Sequence, residues 1–90
     1  MYELVKKILD TAKKENVDVG VAYDMVATET GYTDELKKAN EFIDKNYETI
    51  TALRVKECEE DIKYLCKLAE CDNNVAIDHH TENLKDKGVI

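Results

Sequence analysis

The sequence contains no proline, serine, glutamine or tryptophan, and Arg54 is its only arginine. Without proline, and with only three glycines, little interrupts a helix and little builds the tight turns of a β-sandwich. The lack of serine removes serine-nucleophile chemistry. One arginine is a poor supply of the guanidinium forks favoured for phosphate and base readout. No apolar run approaches the length needed to span a bilayer. The opening residues, Met1-Tyr2-Glu3-Leu4-Val5-Lys6-Lys7, lack the basic-then-apolar order of a signal peptide. Three cysteines without framework spacing fit reduced thiols better than a disulfide scaffold. Together these absences lead us to expect a soluble, cytoplasmic protein with no membrane contact.

What is present is charge. Charged residues make up 37% of the 90, with 20 acidic against 13 basic and a net charge of −7. Both halves are negative. A nucleic-acid binder gathers positive charge on one face, and no such cluster occurs here, which disfavours nucleic acid as a partner. An acidic surface suits a protein partner with a basic surface, or serves solubility alone. A chain this short buries only about 60–65% of the surface its unfolded form exposes, so a homodimer would add burial that the monomer lacks.

Hydrophobic spacing predicts an all-α fold, a compact bundle of four to five short helices in a single domain over 1–90. Tyr2, Val5, Ile8, Leu9 and Ala12 give one helix over about 2–15, with Lys13 and Lys14 complementing its dipole. A second is expected over about 18–30, with Asp18 as N-cap and Gly31 as a left-handed stop. Thr33 reads as the next cap, with Asp34 and Glu35 in the first turn of a helix over about 34–46. Its stripe runs Leu36, Ala39, Ile43, Tyr47 and Ile50, then continues through Val55, Cys58, Ile62, Leu65 and Ala69. The phase breaks between Ile50 and Val55, so a bend is expected near 46–52, capped by Asn46 or Thr49, before a helix over about 50–70. A last helix over about 75–87 should stop at Gly88, with Val89 reaching back to Leu84.

Three constellations could carry chemistry. The run Glu57, Glu59, Glu60 and Asp61 is either a solvated helix face, with Glu59 and Lys63 as an i,i+4 pair, or an anionic ridge that docks on a basic surface. Tyr23, Tyr32, Tyr47 and Tyr64 suit interface anchors and half-buried core edges equally. Cys66, Cys71, His79 and His80 carry the donor types that zinc prefers, although adjacent histidines point to different sides of a helix. Cys58 and Cys66 fall on or beside the apolar stripe, where free cysteine is ordinarily a small hydrophobe. A Cys71–His79 or Cys71–His80 nucleophile pair would lie among Glu70, Asp72 and Asp78, which oppose thiolate formation. No enzymatic activity and no cofactor is expected.

Residues 74–90 contain Ile77, His79, His80, Leu84, Gly88, Val89 and Ile90 in an order that resembles the recognition helix and wing entry of winged-helix transcription regulators of the arsenical-repressor type. The resemblance implies that residues 74–80 face DNA, with His79 and His80 among the contacts. Ala27, Gly31 and Thr33 give a second helix-turn-helix echo, which an αα-corner also explains. The leading expectation from the sequence is a non-enzymatic acidic regulator or inhibitor that covers a basic, nucleic-acid-binding surface of a partner. A DNA-binding regulator and a small Cys/His metal-binding protein are the alternatives.

Overall fold

The computed structural model describes residues 1–90 and is all-helical. Six helices follow in order: α1 (Tyr2–Glu15), α2 (Val19–Thr30), α3 (Asp34–Lys45), α4 (Tyr47–Val55), α5 (Glu59–Glu70) and α6 (Asn74–Asp86). The chain divides into two units, Met1–Asp44 and Lys45–Ile90.

In the first unit α1 packs against α2. Val5 and Ile8 of α1 are buried, as are Ala22, Val26 and Ala27 of α2. These positions recur at the three- and four-residue spacing that puts side chains on one helix face. On α3 the same spacing buries Leu36, Ala39, Phe42 and Ile43. Thr33 caps α3, its Oγ1 accepting from the Leu36 N–H at 3.1 Å. Asp18 occupies the N-cap position of α2 in an extended conformation, without a side-chain bond to the helix. Gly31 ends α2 at φ 95 and ψ 155, which is not the left-handed helical region expected for it.

In the second unit α5 packs against both α4 and α6. The core residues are Ile50, Leu53, Ile62, Leu65, Cys66, Ile77 and Leu84, with Thr49 the one buried polar side chain. Two side-chain bonds reach the start of α6 and the residues just beyond its end. Lys45 Nζ donates to Asn74 Oδ1 at 3.2 Å, and Lys56 Nζ donates to the Gly88 carbonyl at 3.3 Å.

The count of six helices differs from the expected four to five, because the segment expected over 50–70 is two helices. The phase break is resolved by two interruptions rather than one. Asn46 separates α3 from α4, and Lys56–Glu57–Cys58 separate α4 from α5. The first lies within the expected interval and the second beyond it. Leu53 takes the buried place on α4, and Val55, assigned to the apolar stripe by spacing, is instead 78% exposed. Cys58 leaves the stripe as well, becoming the half-buried N-cap of α5.

Four helices end in the same way. After α1, α4, α5 and α6 a backbone N–H reaches back five residues: Val17 to Ala12, Cys58 to Leu53, Asn73 to Leu68 and Val89 to Leu84, at 2.8–3.0 Å. This is the outer bond of the Schellman stop, and it requires a left-handed residue just before the donor. That residue is Gly88 after α6, but Asn16, Glu57 and Asp72 after the other three, at φ 53, 57 and 53. Asparagine and aspartate tolerate this region, whereas a longer side chain costs about 1–2 kcal/mol there. Glu57 is therefore the strained stop. Glu57→Gly is expected to stabilise the fold by about 1 kcal/mol, raising the melting temperature by about 4–8 °C. A thermal melt followed by circular dichroism measures this, and an unchanged or lower midpoint would contradict it.

Candidate functional site

The four acidic residues at 57–61 do not share one fate. Glu57 closes the α4–α5 link, and Glu59, Glu60 and Asp61 form the first turn of α5. Carboxylates there face the positive end of the helix dipole and stabilise the helix by about 0.3–1 kcal/mol each. Glu57, Glu59 and Glu60 are exposed and Asp61 is half-buried. Lys63 reaches Glu60, three residues away, at 3.8 Å.

Asp61 turns toward α6. Its Oδ1 lies 3.2 Å from His80 Nε2, and both side chains are largely shielded. The Tyr64 ring meets the His80 imidazole edge-on, with centroids 4.7 Å apart and planes at 70°. Asp61, Tyr64 and His80 thus form a joint between α5 and α6. Asp61 and Tyr64, three apart on α5, lie on the same side of that helix and flank the imidazole. Nothing local in the sequence signals this joint, since Asp61 and His80 are 19 residues apart. His79, its neighbour, is exposed, because a step of one residue turns the side chain about 100° around the helix.

The three thiols occupy three environments. Cys66 is buried, Cys58 half-buried and Cys71 exposed. Burial pushes the Cys66 thiol up to about 12 from 9.0, and the Glu70 carboxylate adds to the rise. The folded state thereby keeps this thiol neutral where the unfolded chain would ionise it. Its contribution to stability is complete below about pH 9 and is lost as the pH climbs toward 12. Cys71 occupies the C-cap position of α5 and is exposed. Cys58 Sγ lies 3.7 Å from the Lys56 carbonyl.

Cys66, Cys71, His79 and His80 are not assembled into a ligand set. No group of three or more His, Cys, Asp or Glu side chains is placed to hold a metal ion. Cys66 faces the core, Cys71 and His79 face solvent, and His80 is engaged by Asp61.

The α5–α6 pair is a helix, a three-residue turn and a second helix. Asn73 caps α6, its Oδ1 accepting from the Ala76 N–H at 3.2 Å. The outward residues of α6 include Asn74, Val75, Asp78, His79 and Glu82. Two carboxylates therefore stand on the surface that the winged-helix resemblance would turn toward DNA. Among the tyrosines, Tyr32, Tyr47 and Tyr64 are exposed, while Tyr23 is half-buried and meets the Tyr32 ring edge-on at 5.9 Å.

Comparison with known protein families, with characterised proteins and with solved structures found no match. The chain's chemistry must be read from its own geometry. No helix is long and apolar enough to cross a membrane.

Two outcomes follow from this geometry. His80→Ala removes one hydrogen bond and one ring contact, which together are expected to lower stability by about 1–2 kcal/mol. Urea denaturation monitored by circular dichroism measures the loss, and an unchanged midpoint would show that the joint is inert. Iodoacetamide at pH 8 is expected to label Cys71 rapidly and to leave Cys66 unmodified until denaturant is added. Mass spectrometry of the alkylated peptides reads this directly; labelling of Cys66 at the rate of Cys71 would contradict it.

Proposed function

We propose that this protein acts without catalysis, in the cytosol, as a small acidic regulator or inhibitor that binds a partner through the partner's basic surface. A partner surface that otherwise handles nucleic acid has the required charge. The observation that carries this reading is the outward presentation of Glu57, Glu59 and Glu60 around the α4–α5 link. Asp61, committed to His80, fixes α5 rather than reaching the partner. The thiols support the non-enzymatic part of the reading. Cys66 is buried and held protonated, and Cys71 makes no hydrogen bond with a histidine, so neither thiol is paired with a base. Electrostatic docking of this kind accelerates encounter and excludes acidic competitors more than it adds affinity.

A second reading, a DNA-binding regulator with α6 as the reading helix, draws on the three-residue turn between α5 and α6 and on the exposed His79. Asp78 and Glu82 on the same outward side repel phosphate, so the first reading is preferred.

The two are separated by a pull-down from host lysate beside a fluorescence-anisotropy titration with duplex DNA at low salt. The first reading predicts capture of a basic protein by the native chain, weaker capture by a variant carrying Glu57→Lys, Glu59→Lys and Glu60→Lys, and no DNA binding. Equal capture by both forms would remove the ridge from the contact. Capture of nothing, together with tight DNA binding, would overturn the reading in favour of the second.

A further inference from the structure

The charge at 57–61 is interleaved with Lys56, Lys63 and Lys67, and part of it is used within the fold. The charge around α2 is different. From Glu15 to Leu36 the sequence holds six acidic residues, Glu15, Asp18, Asp24, Glu29, Asp34 and Glu35, and no lysine, arginine or histidine. Some of these serve the fold, Asp34 and Glu35 in the first turn of α3 among them. Neither Asp24 nor Glu29 lies in the first turn of a helix. Glu29 lies in the last turn of α2, which contains no basic residue, so it faces the negative end of the helix dipole. Asp24 lies in mid-helix, exposed, its carboxylate accepting a long 3.4 Å bond from the Tyr32 hydroxyl.

The same helix is apolar on two sides. One side, Ala22, Val26 and Ala27, is buried. The other carries Val21 at 47% exposure and Met25 at 37%, four residues apart and therefore on one face. Asp24 is three residues from Val21 and adjacent to Met25, and Tyr32, 65% exposed, reaches Asp24 through its hydroxyl. Val21 and Met25 neighbour Asp24 on the helix surface, and the Tyr32 hydroxyl reaches its carboxylate. Tyr32 is held by its edge-on contact with Tyr23. Gly20 leaves the beginning of the patch open, with nothing within 4 Å of where a Cβ would stand. A helix apolar on both sides normally has both sides covered.

We propose that the outward face of α2, centred on Val21, Asp24, Met25 and Tyr32, is the docking surface for a basic amphipathic helix of a partner protein. This rests on the reading that the chain acts by protein–protein interaction, and it adds to the ridge a second contact, on α2. Charge complementarity selects the occupant. A second copy of this chain would set one cation-free acidic segment against another, and a nucleic acid or an anionic membrane would be repelled likewise. An amphipathic helix with lysines or arginines flanking an apolar stripe supplies both halves of the match: its stripe covers Val21, Met25 and Tyr32, and its cations meet Asp24 and Glu29. Methionine and tyrosine suit such a surface, because one adapts its shape and the other adds a rigid polar-tipped ring.

The test titrates the full-length, isotope-labelled chain with a synthetic amphipathic helix of leucine and lysine, followed by amide chemical shifts at low salt. Shift changes concentrated in residues 18–32 are expected, weakening as salt is raised. The double variant Val21→Lys, Met25→Lys is expected to bind about tenfold more weakly or worse while keeping its helical circular dichroism spectrum. A matching leucine–glutamate peptide is expected to give no shifts. Changes confined to residues 57–61 would overturn the α2 assignment while leaving an acidic interaction protein in place. Self-association of the free chain through α2, seen by sedimentation, would overturn the choice of occupant. No shift anywhere with the basic peptide would overturn the assignment and remove support from the interaction reading.

Discussion

The second unit depends on how its helices stop. Proline is absent and glycine scarce, so the reversals after α4 and α5 are closed by left-handed Glu57 and Asp72, each followed by the five-residue backbone bond of a Schellman stop. These stops fix where α5 begins and how α6 returns against it. The same geometry makes Glu57 and Cys58 do two things at once. Glu57 closes one helix and stands beside the acidic first turn of the next, and Cys58 supplies the closing N–H for α4 while capping α5. Once α6 is returned, His80 meets Asp61 and Tyr64, and Lys56 reaches the carbonyl of Gly88 at the far end of α6. The first unit uses one such stop, at Asn16, and relies for its other turn on Gly31 and the Thr33 cap.

Much of this was legible in the residues. Helical spacing places α1, α2 and α3 within a residue or so of their observed ends, and for α3 the Thr33 cap and the acidic first turn mark the start chemically. Gly88 with Val89 marks the end of α6 in the same way. What the spacing could not supply was the second interruption at Lys56–Cys58. Glutamate is an uncommon left-handed residue, so nothing at position 57 announces a stop, and Val55 and Cys58 continue the apolar pattern across it. The Asp61–Tyr64–His80 joint was equally hidden, since it needs the turn at 71–73 to bring two distant stretches together. The donor types at Cys66, Cys71, His79 and His80 were visible, but their orientation was not. Burial of one, exposure of two and engagement of the fourth keep them from forming a ligand set.

Total charge and uncompensated charge are distributed differently along this chain. A net charge of −7 says little by itself, since carboxylates at helix N-termini stabilise the fold and lysines beside them neutralise the field. Asp61, held by His80, and Glu60, beside Lys63, are partly accounted for in that way. Asp24 and Glu29 are not: they lie in a cation-free segment, one in mid-helix and one at the unfavourable end of α2, bordering exposed apolar side chains. Carboxylates placed where the helix dipole does not favour them are where binding function is expected to reside.

That distinction has a direct measurement. The variant Asp24→Asn, Glu29→Gln keeps the shape and the hydrogen-bonding capacity of α2 while removing two negative charges. If these carboxylates are held for a partner and not for the fold, urea denaturation of the isolated chain will give an unfolding free energy equal to that of the native sequence or above it by up to about 1 kcal/mol. A fall in stability of about 1 kcal/mol or more would show that Asp24 and Glu29 are structural, and would contradict the account.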